Sequence, residues 1–152
     1  MGQMIGRCVA TEDMHQGDLI EIPRLHIGPW SFYSHWTVYI GNKLVIHKGH
    51  ITNGKKGSEV RIQSLHKFAG KGKIVKNNSL DKKMRPFHPE TILTRALSKI
   101  GDDSYNIFTN NCEHFATWCR YGIPVSEQVI TCIRYCKYSA VCIISLILFR
   151  QM

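Results

Sequence analysis

A cysteine stands where an asparagine-rich turn meets a helical pattern, in the segment Thr109–Gly122 with the sequence TNNCEHFATWCRYG. Asn111 is a favourable N-cap, so we expect Cys112 in the first turn of a helix. Unsatisfied N–H groups and the helix dipole favour thiolate over thiol there, and the same donors can hold the oxyanion of a tetrahedral intermediate. Cys112 is therefore the predicted nucleophile, whereas Cys119, in mid-helix, is expected to be a buried small side chain.

A thiolate nucleophile needs a base, and two of the eight histidines lie in strand patterns. His35 begins a segment rich in β-branched and aromatic residues, and His47 ends the apolar segment Lys43–His47. Gly41 and Asn42 between them predict a hairpin turn. A strict two-residue loop would place the histidines on opposite faces of the hairpin, whereas a longer loop would place them directly opposite or diagonal on one face. They can act as a pair only with the longer loop.

The elements that position these residues predict an α+β fold. Strand patterns occur in five segments, near residues 19–22, 35–40, 43–47, 59–62 and 72–75. After Pro89 the apolar residues recur at helical spacing, and Gly101 is placed to end that helix. A second helix is predicted from Asn110 or Asn111 to Gly122. We therefore expect an antiparallel sheet packed on helices, with Cys112 at a helix N-terminus.

Positive charge is concentrated between residues 43 and 85, which hold twelve basic and two acidic side chains. Such a segment can bind nucleic acid or anionic lipid, or can be a solvated loop. Phe68 is its only aromatic residue, so base stacking has little support and we expect no nucleic-acid partner. The predicted contacts with a membrane surface are Lys71, Lys73 and Lys76.

The C-terminal segment is apolar. Tyr138–Phe149 is a run of twelve residues without a charge, and as a helix it would measure roughly 18 Å, less than a hydrocarbon core of about 30 Å. Extension back to Val129 gives roughly 31 Å and includes Arg134 and Lys137, which can snorkel to the interface. We expect residues 129–150 to form a membrane anchor, single-pass or interfacial; the alternative is a buried amphipathic helix.

The six cysteines indicate neither a disulfide framework nor a metal site. Residues 1–10 lack the apolar core of a secretory signal, so we expect reduced thiols and a protein at the cytoplasmic face of an intracellular membrane. No C-x-x-C pair occurs, and Cys132-x-x-x-Cys136 has no second pair of ligands. We therefore expect no metal and no cofactor.

Two motifs resemble those of the lecithin:retinol acyltransferase-like family, in its phospholipase A and acyltransferase branch. Asn111–Phe115 followed by Cys119–Gly122 resembles the NC box, and Tyr33–Trp36 followed by Tyr39–Gly41 resembles the H box. The family resemblance implies a circularly permuted NlpC/papain-like fold. It divides the chain into an N-terminal segment, a catalytic domain and the membrane anchor, at residues 1–16, 17–125 and 129–150.

The resemblance also implies roles for individual residues. Cys112 matches the nucleophile, His35 the base, His47 the orienting third member and Tyr33 a residue of the oxyanion site. The implied reaction transfers an sn-1 or sn-2 acyl group from a glycerophospholipid to Cys112 as a thioester. Water, an amine, a lysophospholipid or retinol then accepts the acyl group.

Departures from the family pattern bear on the substrate. Pro23-Arg24 and Asn110-Asn111 resemble the retinol branch, but the spacing from His47 to Cys112 is shorter than in either branch and lacks the insertion associated with retinol handling. Phospholipid is therefore the expected acyl donor, and retinol O-acylation is the alternative. A non-catalytic membrane-associated regulator would not need all three residues of the Cys-His-His set. A papain-like peptidase is disfavoured by the apolar tail and the basic segment.

Overall fold

The structure is a computed structural model that describes residues 7–8, 11–24, 34–50, 57–104, 106 and 109–149. Six strands occur in this part of the chain: β1 (Arg7–Cys8), β2 (Leu19–Pro23), β3 (Ser34–Gly41), β4 (Leu44–His50), β5 (Ser58–Ser64) and β6 (Val75–Lys76). The α-helices described are α1 (Leu65–Ala69), α2 (Pro89–Leu97), α3 (Cys112–Tyr121) and α4 (Glu127–Phe149). Short 3₁₀ turns occur at Thr11–Asp13 and Ser79–Lys82.

All six strands belong to one sheet with the order β1-β6-β2-β3-β4-β5. Every pairing between neighbouring strands is antiparallel. The predicted α+β class and antiparallel sheet are therefore confirmed. The strand patterns near residues 19–22, 35–40, 43–47 and 59–62 correspond to β2 to β5. The fifth pattern, residues 72–75, is wrong except at Val75, because the strand there, β6, covers only Val75–Lys76.

The sheet has an apolar core on each face, because side chains alternate along β3. Trp36 and Val38 belong to the core beneath α2 and α3. Tyr39 belongs to the second core, which it shares with Leu65 and Phe68 of α1. Helices α3 and α1 consequently lie on opposite faces of β3 and β4.

A bulge in the β3–β4 hairpin decides which face the histidines occupy. Gly41 pairs with Leu44, and Asn42 and Lys43 form the two-residue loop with φ of 50° and 58°. The turn is thus one residue later than predicted. Beyond a shift of register between Tyr39 and Gly41, Tyr39 pairs with Val45. The bulge adds the residue that the paired arrangement requires, since a two-residue loop alone would separate the histidines.

Helix α3 begins and ends as the sequence predicts. Asn111 is its N-cap, and the Asn111 side chain accepts from the N–H groups of Glu113 and His114 at 2.9 and 3.0 Å. Gly122 ends the helix with φ of 81°, a left-handed conformation that glycine adopts without steric cost.

Helix α2 has Pro89 in its first turn but ends earlier than predicted. Ser98, not Gly101, is the C-cap residue. Gly101 adopts φ of 85° further along, where its N–H donates to the carbonyl of Val60 at 2.9 Å.

The described side chains of helix α4 from Ile130 to Ser139 are exposed. Ile130, Ile133, Tyr135 and Tyr138 expose between 41% and 65% of their surface, so this part of the helix is not the buried amphipathic helix of the alternative prediction. Across the described residues, no helix combines the length and apolar character needed to cross a bilayer. The single-pass form of the predicted anchor is therefore unsupported.

Candidate active site

His35 of β3 and His47 of β4 meet on one face of the sheet. Continuing the hairpin register past the bulge places His35 opposite Gly49 and diagonal to His47. The imidazole centroids are 5.3 Å apart and nearly perpendicular. A Cβ atom on Gly49 would lie 3.0 Å from His47 Nδ1 and 3.2 Å from His35 Nε2, so a larger residue here would displace the rings.

Phe68 of α1 forms an aromatic wall against this pair. Its ring stacks on His35 with centroids 4.8 Å apart and contacts His47 at 4.9 Å. Phe68 is itself buried. The sequence marked Phe68 only as the single aromatic residue of the basic segment, and the structure makes it the side chain that limits the movement of both imidazoles.

His47 is held as a neutral imidazole. Only 2% of its surface is exposed, and burial lowers its pKa to about 4, although a hydrogen bond with Gln63 opposes that change. The His47 Nε2 atom lies 2.7 Å from Gln63 Oε1. Sequence reasoning missed Gln63 because a polar residue in a strand pattern has no special signal.

Cys112 approaches the start of β3. Its Sγ lies 3.9 Å from the carbonyl oxygen of Ser34, the residue before His35. Cys112 and Trp36 share the core beneath α3, whereas His35 alternates to the face that carries Phe68. The structure therefore brings the thiol to the first residue of β3, which precedes His35 in the backbone.

The N-cap of α3 changes the expected oxyanion site. Two N–H groups of the first turn, those of Glu113 and His114, already donate to Asn111 Oδ1. His114 Nδ1 in return accepts from the Asn111 N–H at 3.3 Å. These two amides are thus engaged in the cap, and His114 has a structural role in it. Tyr33, the other predicted oxyanion residue, lies outside the described residues.

Cys119 differs from Cys112 in surroundings, as predicted. It lies fully buried in the core beneath α3. Burial raises the pKa of its thiol to about 12. Cys119 is therefore a protonated apolar side chain, with no means of acting as a nucleophile near neutral pH.

Glu113, the residue after Cys112, ties α3 to the start of α4. The Glu113 carboxylate accepts from the Ser126 hydroxyl at 2.5 Å and the Glu127 N–H at 3.0 Å. It also accepts from Gln128, through Nε2 at 2.9 Å and the backbone N–H at 3.3 Å. Burial, opposed by these donors, raises its pKa. Ser126 caps α4 by accepting from the Val129 N–H at 3.2 Å, and Glu113 accepts the N–H groups of Glu127 and Gln128, a role that the sequence does not reveal.

The RYG part of the NC box is structural. Arg120 forms a two-point contact with the Asp81 carboxylate at 3.0 and 2.7 Å and donates to the carbonyl of Gly17 at 2.8 Å. The Tyr121 hydroxyl donates to the same carboxylate at 2.8 Å. These bonds connect the C-terminal half of α3 to the neighbouring loops, at the end of the helix opposite to Cys112.

The three predicted membrane-contacting lysines are not equivalent. Lys71 and Lys73 are exposed in the connection between α1 and β6. Lys76 instead forms an ion pair with the buried Asp18 at 2.7 Å and donates to the carbonyl of Asp13 at 3.3 Å. The structure thus gives Lys76 a partner within the domain.

The site as described offers no cluster of metal ligands. Within the residues that the structure covers, no three His, Cys, Asp or Glu side chains converge on one point.

Comparison with known proteins identifies the family. A family model described as lecithin retinol acyltransferase matches residues 12–125 of the chain. The chain belongs to this family. The resemblance drawn from the two boxes is therefore confirmed, and the region that the lecithin retinol acyltransferase model matches stops just before α4.

Named relatives of the lecithin retinol acyltransferase family cover most of the chain. Human lecithin retinol acyltransferase is 30% identical over 144 residues, which cover 78% of this chain and 59% of that protein. Human phospholipase A and acyltransferase 1 is 36% identical, with 74% of this chain and 70% of that protein covered. Human phospholipase A and acyltransferase 3 is 32% identical, with 74% of each chain covered. The chain thus spans less than two thirds of the length of human lecithin retinol acyltransferase.

Proposed function

We propose that this protein is a thiol acyltransferase and phospholipase A1/A2 that acts on glycerophospholipids through an acyl-thioester on Cys112. The proposal rests on two contacts, that of Cys112 with the start of β3 and that of His35 on the same strand with His47. The Cys112 thiol touches the Ser34 carbonyl, the next residue is His35, and His35 is in ring contact with the buried His47. A thiol at a helix N-terminus that reaches the strand carrying His35, with the neutral His47 next to that histidine, supplies groups suited to acyl transfer.

The reaction has two steps that use the same residues. His35 takes the proton of Cys112 as Sγ attacks the ester carbonyl, and it returns that proton to the leaving lysophospholipid oxygen as the thioester forms. An acceptor hydroxyl, amine or water then attacks the thioester, with His35 taking its proton and Cys112 leaving as thiolate. His47 orients His35 throughout. Tyr33 is proposed as an oxyanion donor, and neither step needs a metal or a cofactor.

Phospholipid is the proposed acyl donor for two reasons. The named phospholipase A and acyltransferase relatives match over a larger share of their length than human lecithin retinol acyltransferase does. The short interval between His47 and Cys112 also lacks room for the insertion associated with retinol. Retinol O-acylation stays the alternative within the same chemistry, and the proposed fold is the circularly permuted NlpC/papain-like arrangement.

A membrane surface is the proposed partner. Lys71 and Lys73 are exposed just after α1, the helix whose Phe68 touches both histidines. Exposed apolar side chains follow along α4 beside Arg134 and Lys137, a combination suited to the lipid interface. We therefore propose interfacial docking at the cytoplasmic face of an intracellular membrane, with the basic connection next to the site.

Hydrolysis and transfer are separated by one assay. The full-length chain is incubated with phosphatidylcholine in mixed micelles, with and without phosphatidylethanolamine or retinol, and the lipid products are quantified by mass spectrometry. Lysophospholipid, together with fatty acid or N-acylated product, is the expected result, and Cys112→Ser should abolish it. Absence of lysophospholipid in the presence of all three lipids would contradict the proposal. Retinyl ester in preference to the other products would support the alternative substrate.

The membrane surface is tested with vesicles. Replacing Lys71 and Lys73 by glutamine should weaken binding to anionic vesicles, since each lysine near the headgroups contributes about 1 kcal/mol. Replacing the exposed Lys82 and Lys83 in the same way is the matched control. The effect should fade at high salt, because the Debye length shrinks from about 10 Å at 0.1 M to about 3 Å at 1 M. An equal loss of vesicle binding in both double variants would show that the overall positive charge, and not a surface at Lys71 and Lys73, causes the binding.

A further inference from the structure

Gln63, which contacts Nε2 of His47, has no part in the reaction proposed above. We propose that Gln63 is a positioning residue that holds the His47 proton on Nε2 and thereby turns the lone pair of Nδ1 towards His35. This inference rests on the proposed Cys-His-His chemistry. Its observational basis is the 2.7 Å contact between His47 Nε2 and Gln63 Oε1.

The direction of that contact follows from the chemistry of the two groups. An amide oxygen can only accept a hydrogen bond, so a contact through Oε1 requires a hydrogen on His47 Nε2. In a neutral imidazole the other nitrogen, Nδ1, is then an acceptor. Gln63 thus selects one of the two neutral tautomers.

The strand register places Gln63 where it can do this. On β5, Gln63 pairs with Val45 and Arg61 pairs with His47, so Gln63 is the diagonal neighbour of His47 on the same face. The Nδ1 edge points the other way, to the Gly49 position, where His47 Nδ1 and His35 Nε2 lie 3.0 and 3.2 Å from one possible Cβ site. Among the described residues the buried His47 Nδ1 has no hydrogen-bond partner, His35 included, so its lone pair is available when His35 becomes charged.

The charged and titratable groups around His47 favour the neutral ring. Arg61 faces it from β5, and His35 faces it from β3, while α1 contributes the uncharged ring of Phe68. Burial and Arg61 both lower the pKa of His47. The tautomer is therefore the property that distinguishes an active from an inactive arrangement.

The consequence for the reaction concerns the charged form of His35. As His35 takes the thiol proton it becomes an imidazolium with two N–H donors, and an Nδ1 lone pair on His47 stabilises that charge. If His47 carried its proton on Nδ1, that N–H would face an N–H of the His35 imidazolium, and no hydrogen bond could form between them. Loss of Gln63 should therefore lower kcat more than it changes KM, because the unfavourable contact arises only as His35 becomes charged.

The tautomer is read directly by ¹⁵N NMR of the histidines in the full-length chain in detergent micelles. Wild type should show His47 protonated on Nε2 and bare on Nδ1. Gln63→Leu removes the acceptor, so a population protonated on Nδ1 should appear. Gln63→Glu keeps an acceptor and should keep the proton on Nε2. Wild-type His47 with its proton on Nδ1 would overturn the inference, and so would an unchanged tautomer in Gln63→Leu.

Kinetics of the same variants supply the second readout. Gln63→Leu should lower kcat by about 10–100-fold, by analogy with the loss of a hydrogen bond that orients a metal-binding histidine. Gln63→Glu should move the acid limb of the pH profile of kcat/KM to higher pH, because a carboxylate favours a charged His47 beside His35. Gln16→Leu, at an exposed glutamine that bonds the carbonyl of Ile40, is the control and should change neither.

The experiments distinguish a failure of the role of Gln63 from a failure of the proposed function. The NMR result does not depend on turnover, so a wrong substrate leaves it intact. Wild-type kcat and pH profile in Gln63→Leu, with Cys112→Ser inactive, would overturn the role of Gln63 and keep the proposed function.

Discussion

Gln128 in the first turn of α4 donates from Nε2 to Glu113 Oε2 at 2.9 Å, so the last helix is bonded to the residue next to Cys112. The same side chain accepts from the Ser34 N–H at 2.7 Å through Oε1. One glutamine thereby joins the start of α4 to the neighbours of both the proposed nucleophile and the proposed base. The position of α4, the helix proposed to touch the membrane, is in this way linked to the spacing between α3 and β3.

Gln128→Ala tests this link. Removing the side chain takes a donor from the buried Glu113 carboxylate, so the free energy of unfolding should fall by about 1.5–3 kcal/mol, as for a hydrogen bond to a charged group. Activity per folded molecule should fall as well, because α3 and β3 lose a shared support. Thr131→Ala, at an exposed position one turn later in α4, is the control. Chemical denaturation and turnover of a dispersed short-chain phospholipid measure the two effects, and wild-type values of both would contradict the link.

The two histidines should differ in their contribution to rate. His35→Ala should lower kcat by about 10²–10⁴-fold, the usual contribution of a general base, because it removes the group that carries the proton. His47→Ala should cost less, because His47 orients the base without exchanging a proton with substrate. His66→Ala on the exposed side of α1 should have no effect. A larger loss in His47→Ala than in His35→Ala would reverse the two assignments.

Gly49→Ala should damage activity more than stability. The added methyl group would stand 3.0–3.2 Å from both imidazoles, so the rings must move by a few tenths of an ångström. A displacement of about 1 Å can cost about 100-fold in rate, so a drop in kcat of about tenfold is expected here.

Gly101→Ala is the opposite control for that variant. Its new methyl group meets nothing within 4 Å, but φ of 85° is strained for alanine. It should lose about 1–2 kcal/mol of stability and keep kcat. Equal kcat in the two variants would show that Gly49 does not set the spacing of the rings.

The burial of His47 predicts a dependence of stability on pH. Its pKa falls from 6.5 to about 4 on folding, so the unfolded chain binds a proton more readily than the native protein in that interval. Stability is complete above pH 6.5 and should decline by about 3 kcal/mol as the pH falls to about 4. His47→Gln should remove this part of the slope. Denaturation midpoints of both proteins measured from pH 4 to 7 check it, and parallel curves would contradict it.

The position of Cys112 was predictable because its determinant is local. Asn111 caps α3 through its own side chain, and that signal is visible in the sequence. The family boxes were equally visible. The sequence could predict only conditionally that His35 and His47 share a face of the sheet, because one extra residue in the hairpin changes the face on which one of them lies. The bulge before Gly41 supplies that residue, and no sequence pattern distinguishes it from a simple turn.

Contacts between distant segments were not predictable. Helix α1 has five residues, too few for a helical period, and it lies within a segment dominated by charge. Gln63 and Gln128 are ordinary polar residues until the fold brings them within hydrogen-bond distance of His47 and Glu113. Lys76 counted as one more surface charge because its partner, Asp18, is far away in sequence.

The central claim, a covalent acyl group on Cys112, is tested by intact-protein and peptide mass spectrometry. The full-length chain is mixed briefly with phosphatidylcholine of defined acyl chains and quenched in acid, which preserves thioesters. We predict a mass increase equal to one acyl group, located on the peptide that contains Cys112, present in Cys119→Ala and absent in Cys112→Ser. Substrate turnover in Cys112→Ser, or an adduct that maps to Cys119, would contradict the account.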